Sequence, residues 1–205
     1  VIATLHDGPG DARATVVLAH GAGAGMTHPF LAAVARGLAA AGFAVVRFDF
    51  PYRTAKKSRP DAMPMLQDAL REVVRTHGKT TFVLAGKSMG GRVATMIADE
   101  LAARGVVVFG YPFHPPEKPQ QLRTAHLATL RTPTLILQGE RDEFGTRDEV
   151  AGYTLAPGIT IEWFVDGDHS LAPRVRSGFT AAQHLARAIE CAAAFVRAVT
   201  GSDAC

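Results

Sequence analysis

A serine with glycines two residues to either side stands at Gly86-Lys87-Ser88-Met89-Gly90, and a further glycine follows at position 91. A serine hydroxyl becomes a nucleophile only with a base to take its proton and a third group to orient that base. The glycines suit a sharp strand-to-helix turn that strains the serine and exposes its hydroxyl, where larger flanking side chains would collide with backbone. Three fixed positions at about 7% frequency each would give this pattern by chance in about 7% of chains this long, so the pattern alone decides little. Its placement decides more. The apolar run TTFVLAG, 80–86, precedes it and the helical pattern GRVATMIADELAA, 91–103, follows.

In a parallel sheet with such a turn, the expected order along the chain is serine, acid, histidine. Of eight histidines, His6, His20, His28 and His77 precede Ser88, His114 and His126 precede the best acid, and His184 falls inside a helical pattern. His169 remains, in the loop DGDHSL after the run ITIEWFV. The expected acid is Asp142, three residues past Gly139 in LILQGERDEFG, with Glu140 and Glu143 as competitors. Asp166 and Asp168 lie so close to His169 in sequence that loop hydrogen bonds are their expected role, ahead of a metal site at DGDH. Acyl transfer also needs donors for an oxyanion. The backbone N–H of Met89 is the first candidate, and the loop HGAGAGM, 20–26, offers Ala22 as the second, with Gly23 as the alternative. The ring of His20 is expected to steady that loop. A phosphate-cradling role is disfavoured, because the loop lacks the lysine and Ser/Thr of a P-loop and the spacing of a dinucleotide fingerprint.

These residues need strands to carry them. Six runs qualify: ATVVLAH (14–20), FAVVRFDF (43–50), TTFVLAG (80–86), GVVVFG (105–110), TPTLILQG (132–139) and ITIEWFV (159–165). Most are almost continuously apolar, as parallel strands covered on both faces require. Helical stripes alternate with them: Leu31, Val34 and Leu38; Leu66, Leu70, Val73, Val74 and His77; Val93, Met96, Ile97 and Leu101; and a long final one through Leu185, Ile189, Ala192, Val196 and Val199, with Ser177 as its expected N-cap. Gly42, Gly78, Gly105 and Gly201 each stand where a left-handed helix terminus is wanted. Alternating strands and helices imply right-handed crossovers and a doubly wound, mostly parallel sheet of about six or seven strands in one domain, 1–205.

The chain of 205 residues is 47% hydrophobic and 20% charged, with 22 basic against 19 acidic residues. That small excess gives little reason to expect a nucleic-acid partner, and the one dense basic cluster, RTAKKSR (53–59), lacks interleaved aromatics and reads as a solvated loop. No apolar run approaches a membrane span and no signal core opens the chain, so a cytoplasmic protein without membrane attachment is expected. The two cysteines, Cys191 and Cys205, offer neither a disulfide framework nor a metal spacing.

With these residues placed, the chain resembles the α/β-hydrolase superfamily over residues 14–199, through HGAGAGM, GKSMGG, GERDEFG and GDHSL in order. Within it the chain looks like the small, lidless proteins of the testis-expressed and NSL-complex-subunit type, related to dienelactone-hydrolase-like enzymes. The stretch GYPFHPPEKPQQLRTAHL before PTLILQGERDEFG carries that likeness. The resemblance implies a serine-hydrolase fold in which Ser88, Asp142 and His169 match the triad, but supplies no substrate. From the residues themselves, acyl transfer from a small ester or thioester to water is expected, with no metal or organic cofactor. A scaffold that keeps the fold without turnover is the alternative. Only VIATL precedes residue 14, so a full first pair of strands is not expected. Only residues 111–131 are available where larger hydrolases carry a lid, so no separate cap domain is expected and this Pro-rich loop either roofs the site or leaves it open. Gly23, Tyr52, Arg53 and His114 are candidate substrate contacts, with Arg53, beside Lys87 or His114, a candidate for recognising a carboxylate. Lys87 itself is expected to pack beneath the turn.

Overall fold

The strand runs form one sheet because every interior strand can bury both of its faces. In the computed structural model, which describes residues 2–201, the strands are β1 (Thr4–Asp7), β2 (Thr15–Ala19), β3 (Ala44–Phe48), β4 (Phe82–Lys87), β5 (Val106–Phe109), β6 (Thr134–Gly139) and β7 (Ile159–Phe164). Their order is β1-β3-β2-β4-β5-β6-β7, with β1 antiparallel and the other six parallel. Successive residues point to opposite faces. Val17, Val46, Leu84, Val106, Val108 and Ile136 join one core cluster, while Val16, Leu18, Val45, Val83, Ala85, Val107, Leu135 and Leu137 join the other.

Helices α1 (Pro29–Ala40) and α6 (Ala181–Thr200) cover the second of these faces, and α3 (Met63–His77) and α4 (Met89–Ile97) the first. The short helices α2 (Pro51–Thr54) and α5 (Arg147–Val150) lie in connections. The segment VIATL does more than lead in, since Thr4 and Leu5 begin the edge strand. Besides its antiparallel ladder with β3, that strand is held by Arg47, a buried cation on β3. Its guanidinium donates to Asp7 on β1 at 2.8 and 3.1 Å, and to the Met26 carbonyl at 2.7 Å. The bidentate geometry is the strong form of such a pair.

Three expected helix termini differ, at Ser177, Gly78 and Gly105. Ser177 lies in a 3-10 turn, Val175–Ser177, and α6 is capped instead by Thr180. The Thr180 hydroxyl accepts from Gln183 N, and the Gln183 carboxamide accepts from Thr180 N at 2.8 Å, so the T-A-A-Q run closes a capping box that Ser177 has no partner to form. Gly42 and Gly201 take left-handed conformations, at φ 93° and 62°, but Gly78 sits at φ −66°. Gly105 is required by close approach: a Cβ there would meet Phe195 Cε1 at 2.8 Å. Cys191 is partly buried in α6, and Cys205 lies outside the described residues.

Candidate active site

Strand β4 ends at Lys87 and α4 begins at Met89, so Ser88 alone makes the turn. It does so at φ 51° and ψ −114°, a strained conformation for a residue with a side chain. The backbone is held there by Ser88 N donating to Phe109 O at 3.1 Å, which extends the sheet one step past the strand. The flanking glycines are sterically required. A Cβ on Gly86 would run into the Gly90–Gly91 backbone, and one on Gly90 would meet the carbonyl oxygens of Ala19 and His20, each at 2.6 Å.

His169 Nε2 stands 2.8 Å from Ser88 Oγ, and its Nδ1 stands 2.8 Å from Asp142 Oδ2. The structure thus brings together all three residues that the chain order selects. Asp142 is fully buried, and three donors converge on it: the His169 ring and Gln138 Nε2 (2.8 Å) at Oδ2, and Phe144 N (2.9 Å) at Oδ1. Its competitors are engaged elsewhere or exposed. Glu140 pairs with Arg147 at 2.8 Å and accepts from Asp166 N, while Glu143 faces solvent.

Gln138 is absent from the sequence-based expectations, and its signal there is a carboxamide inside the apolar run TLILQG. Buried in β6, it spends every polar group on this corner. Oε1 accepts from Tyr111 N at 2.7 Å, and Nε2 also approaches Tyr111 O and Gly145 O at 3.3 and 3.2 Å.

The base is fixed from several sides. Phe144 lies over the His169 ring at a centroid distance of 4.2 Å. Lys87 Nζ donates to the His169 carbonyl at 2.6 Å, so Lys87 reaches past the turn instead of packing only beneath it. Burial pushes this amine down to about 8, against the pull of Asp142 and Asp168. Both groups fit beneath the loop because Gly110, at φ 69°, presents no side chain: a Cβ would meet His169 O at 2.7 Å and Lys87 Nζ at 3.0 Å. Asp168 Oδ1 accepts from Ser170 N and Ala172 N at 2.7 and 2.9 Å, and Asp166 binds Arg174 and Arg141. Both aspartates therefore shape the loop.

On the opposite side, the loop 20–26 comes off β2. His20 is buried, with Nδ1–H donating to Gly21 O at 2.8 Å and Nε2 accepting from Phe50 N at 3.1 Å. Both nitrogens are used in the neutral form, and burial lowers the ring's pKa. Farther along, Met26 N donates to Asp49 Oδ1 at 2.7 Å while Met26 O accepts from Arg47. This loop and the start of α4 border one cavity of about 570 Å³, whose wall includes Ser88, His169, Met89, Ala22, Phe144 and Lys87. The first amides of a helix have no intrahelical acceptor, which leaves the Met89 N–H available to a ligand.

The proposed substrate contacts fall elsewhere. Gly23, Tyr52, Arg53 and His114 are not among the residues lining this cavity. Tyr52 is buried in the core cluster under the loop, because its ring packs with His20. Arg53 is exposed with the rest of the basic loop. His114 is buried with Nδ1 donating to Pro115 O at 2.9 Å, and its Nε2 stands 3.5 Å from Glu149 Oε1. The cations that do line the cavity are Lys87, Arg92 and Arg123. Arg92 had a signal in the sequence, being four residues past Ser88 on the same helical face. The 111–131 segment supplies Pro112 and Arg123 to the wall and is held down by buried Tyr111, Phe113, Leu127 and Leu130.

A family profile described as alpha/beta hydrolase domain matches residues 12–197. The chain belongs to that family. Solved structures agree with the hydrolase architecture at low identity. A lidless α/β serine hydrolase from Xanthomonas campestris superposes with a TM-score of 0.69 at 22% identity, covering 97% of this chain and 87% of the other. Est1E from Butyrivibrio proteoclasticus, solved with ferulic acid, gives 0.75 at 14%, covering 95% and 93%. A thermophilic esterase from Thermogutta terrifontis, solved with malate, gives 0.69 at 19%, covering 97% and 93%. At such identities these hydrolases share the fold with this chain. Among the described residues, no helix is long and apolar enough to cross a membrane, and no cluster of three potential metal ligands occurs.

Proposed function

We propose that this α/β-hydrolase-family protein is a serine hydrolase that cleaves an ester or thioester of a small substrate through an acyl-enzyme on Ser88. The observation that carries the reading is the continuous chain from Ser88 Oγ through His169 to buried Asp142, each link 2.8 Å long. In this mechanism His169 Nε2 takes the Ser88 proton as Oγ attacks the carbonyl carbon. Asp142 keeps the ring proton on Nδ1 and stabilises the imidazolium that forms. The Met89 and Ala22 amides hold the tetrahedral oxyanion. His169 then protonates the departing alcohol or thiol, and later activates the water that releases the acid and restores the Ser88 hydroxyl. We place the protein with the small, lidless branch, in keeping with the absence of any domain between β5 and β6.

Labelling with a fluorophosphonate, with the adduct located by peptide mass spectrometry, tests this. An adduct on Ser88 that disappears in Ser88→Ala and falls steeply in His169→Ala is expected. Folded wild-type protein that takes no label, and that turns over none of a series of p-nitrophenyl esters and acyl thioesters, would overturn the reading in favour of a non-catalytic scaffold.

A further inference from the structure

The cavity wall beyond Ser88 carries charge that the proposed chemistry does not use. Arg92 and Arg123 both border it, one from α4 and one from the 111–131 segment. Among the described residues neither has a carboxylate within ion-pair distance. Arg92 Nε is buried without a hydrogen-bond partner. Burial, and after it the charge of Arg92, lower the pKa of Arg123 across this shared wall. Arg92 also works, after burial, to hold His126 down to about 4. Lys87 adds a third cation to the same wall. The wall's one carboxylate, Asp61, is bound to Lys57 Nζ at 2.9 Å, and its Oδ2 is buried without a partner.

Like charges brought together and partly desolvated are unfavourable unless an anion joins them. The arrangement is nevertheless built firmly. Arg123 N donates to Phe113 O at 2.7 Å, and the Tyr111 hydroxyl donates to Arg123 O at 2.8 Å, so the residue's main chain is tied on both sides. Arg92 lies one helical turn past the nucleophile on α4, and both residues border the same cavity.

Resting on the serine-hydrolase reading, we infer that Arg92 and Arg123 form an anion subsite, so that the substrate is an ester or thioester carrying a second, negatively charged group, a carboxylate or a phosphate, a few bonds from the scissile carbonyl. A guanidinium pair presents several N–H donors in fixed planes, which suits the oxygens of either group. A neutral acyl chain of the same length would leave the Arg92 and Arg123 charges uncompensated.

The test compares p-nitrophenyl hemiglutarate with p-nitrophenyl pentanoate, matched in chain length and differing in the terminal carboxylate. Wild-type kcat/KM should favour the hemiglutarate by about 10- to 100-fold, as charged hydrogen bonds allow. That preference should shrink with added NaCl and fall towards unity in Arg92→Gln and Arg123→Gln, with Arg92→Lys retaining part of it. Equal or better use of the pentanoate by wild type overturns the inference and leaves the hydrolase reading standing. Glutarate and inorganic phosphate, titrated into Ser88→Ala and followed by thermal shift, report the subsite without turnover. Arginine-dependent stabilisation by glutarate alone identifies a carboxylate site, and by phosphate alone a phosphate site. Either result in a protein that hydrolyses no ester would uphold the subsite and overturn the hydrolase reading. Stabilisation by neither anion, together with no carboxylate preference, overturns the inference outright.

Discussion

The two sides of the cavity are built on opposite principles. Around Asp142 and His169 each polar atom named above has a partner: Gln138 uses its whole carboxamide, Asp142 accepts three donors, and even the His169 carbonyl takes the Lys87 amine. Across the cavity, Arg92 Nε and Asp61 Oδ2 are buried with none. A satisfied network holds its members in one geometry, whereas an unsatisfied one is completed by what enters. On the proposed reading, the first side serves the chemistry and the second serves recognition.

The largest effect should come from breaking the satisfied side at its acid. Asp142→Asn puts an NH2 group where two oxygens now receive donors, so it must face either Phe144 N–H or Gln138 and His169. Ester turnover should fall about 10⁴-fold through the wrong histidine tautomer, with little change in KM. Steady-state kinetics on p-nitrophenyl butyrate checks this, and a fall below tenfold would argue that Asp142 orients nothing. Next comes the turn. A Cβ at Gly90 meets two backbone carbonyls that cannot swing aside, whereas one at Gly23 meets nothing within 4 Å and suffers only from φ 74°. Gly90→Ala should lose several kcal/mol of stability or fail to fold, and Gly23→Ala about 1 kcal/mol, in urea melts.

Lys87 sharpens the comparison, because it borders the cavity while its amine is spent on the satisfied side. Lys87→Met should lower kcat about tenfold by freeing the histidine loop, while relieving a desolvated charge. Between pH 8 and the ordinary lysine value of 10.5, the unfolded chain holds a proton that the folded chain has lost. Wild-type stability should therefore rise with pH across that window relative to Lys87→Met, as denaturant melts at pH 7.5 and 10 would register. The smallest effect lies in acid. His126, held near 4, and His20, also lowered, stay neutral in the fold while the unfolded chain takes up protons below 6.5. Stability should fall as pH drops from 6.5 towards 4, and less steeply in His126→Gln.

Much of this site is legible in the sequence, for a physical reason. Ser88, Asp142 and His169 each follow a strand whose apolar run is visible, and a parallel sheet places all such strand ends on one edge. The glycines at 86 and 90 mark the turn because their steric requirement is local. The walls of the cavity are different. Arg123 reaches it only through the path of 111–131, a segment with no helix or strand, and that path is set by the burial of Tyr111 and Phe113. Nothing periodic announces such a path, so Arg53 and His114 looked equally eligible. The edge strand was missed for a related reason: Thr4–Asp7 is too short for a pattern, and a distant arginine makes it adhere.

That arginine has a further consequence. Arg47 grips Asp7 at the rim of the sheet and the Met26 carbonyl in the loop that carries Ala22. One guanidinium thus couples the periphery of the fold to the place where transition-state charge would gather. Fraying at the rim would free Arg47 to rotate and slacken that loop, so on warming this protein should lose activity before its sheet comes apart.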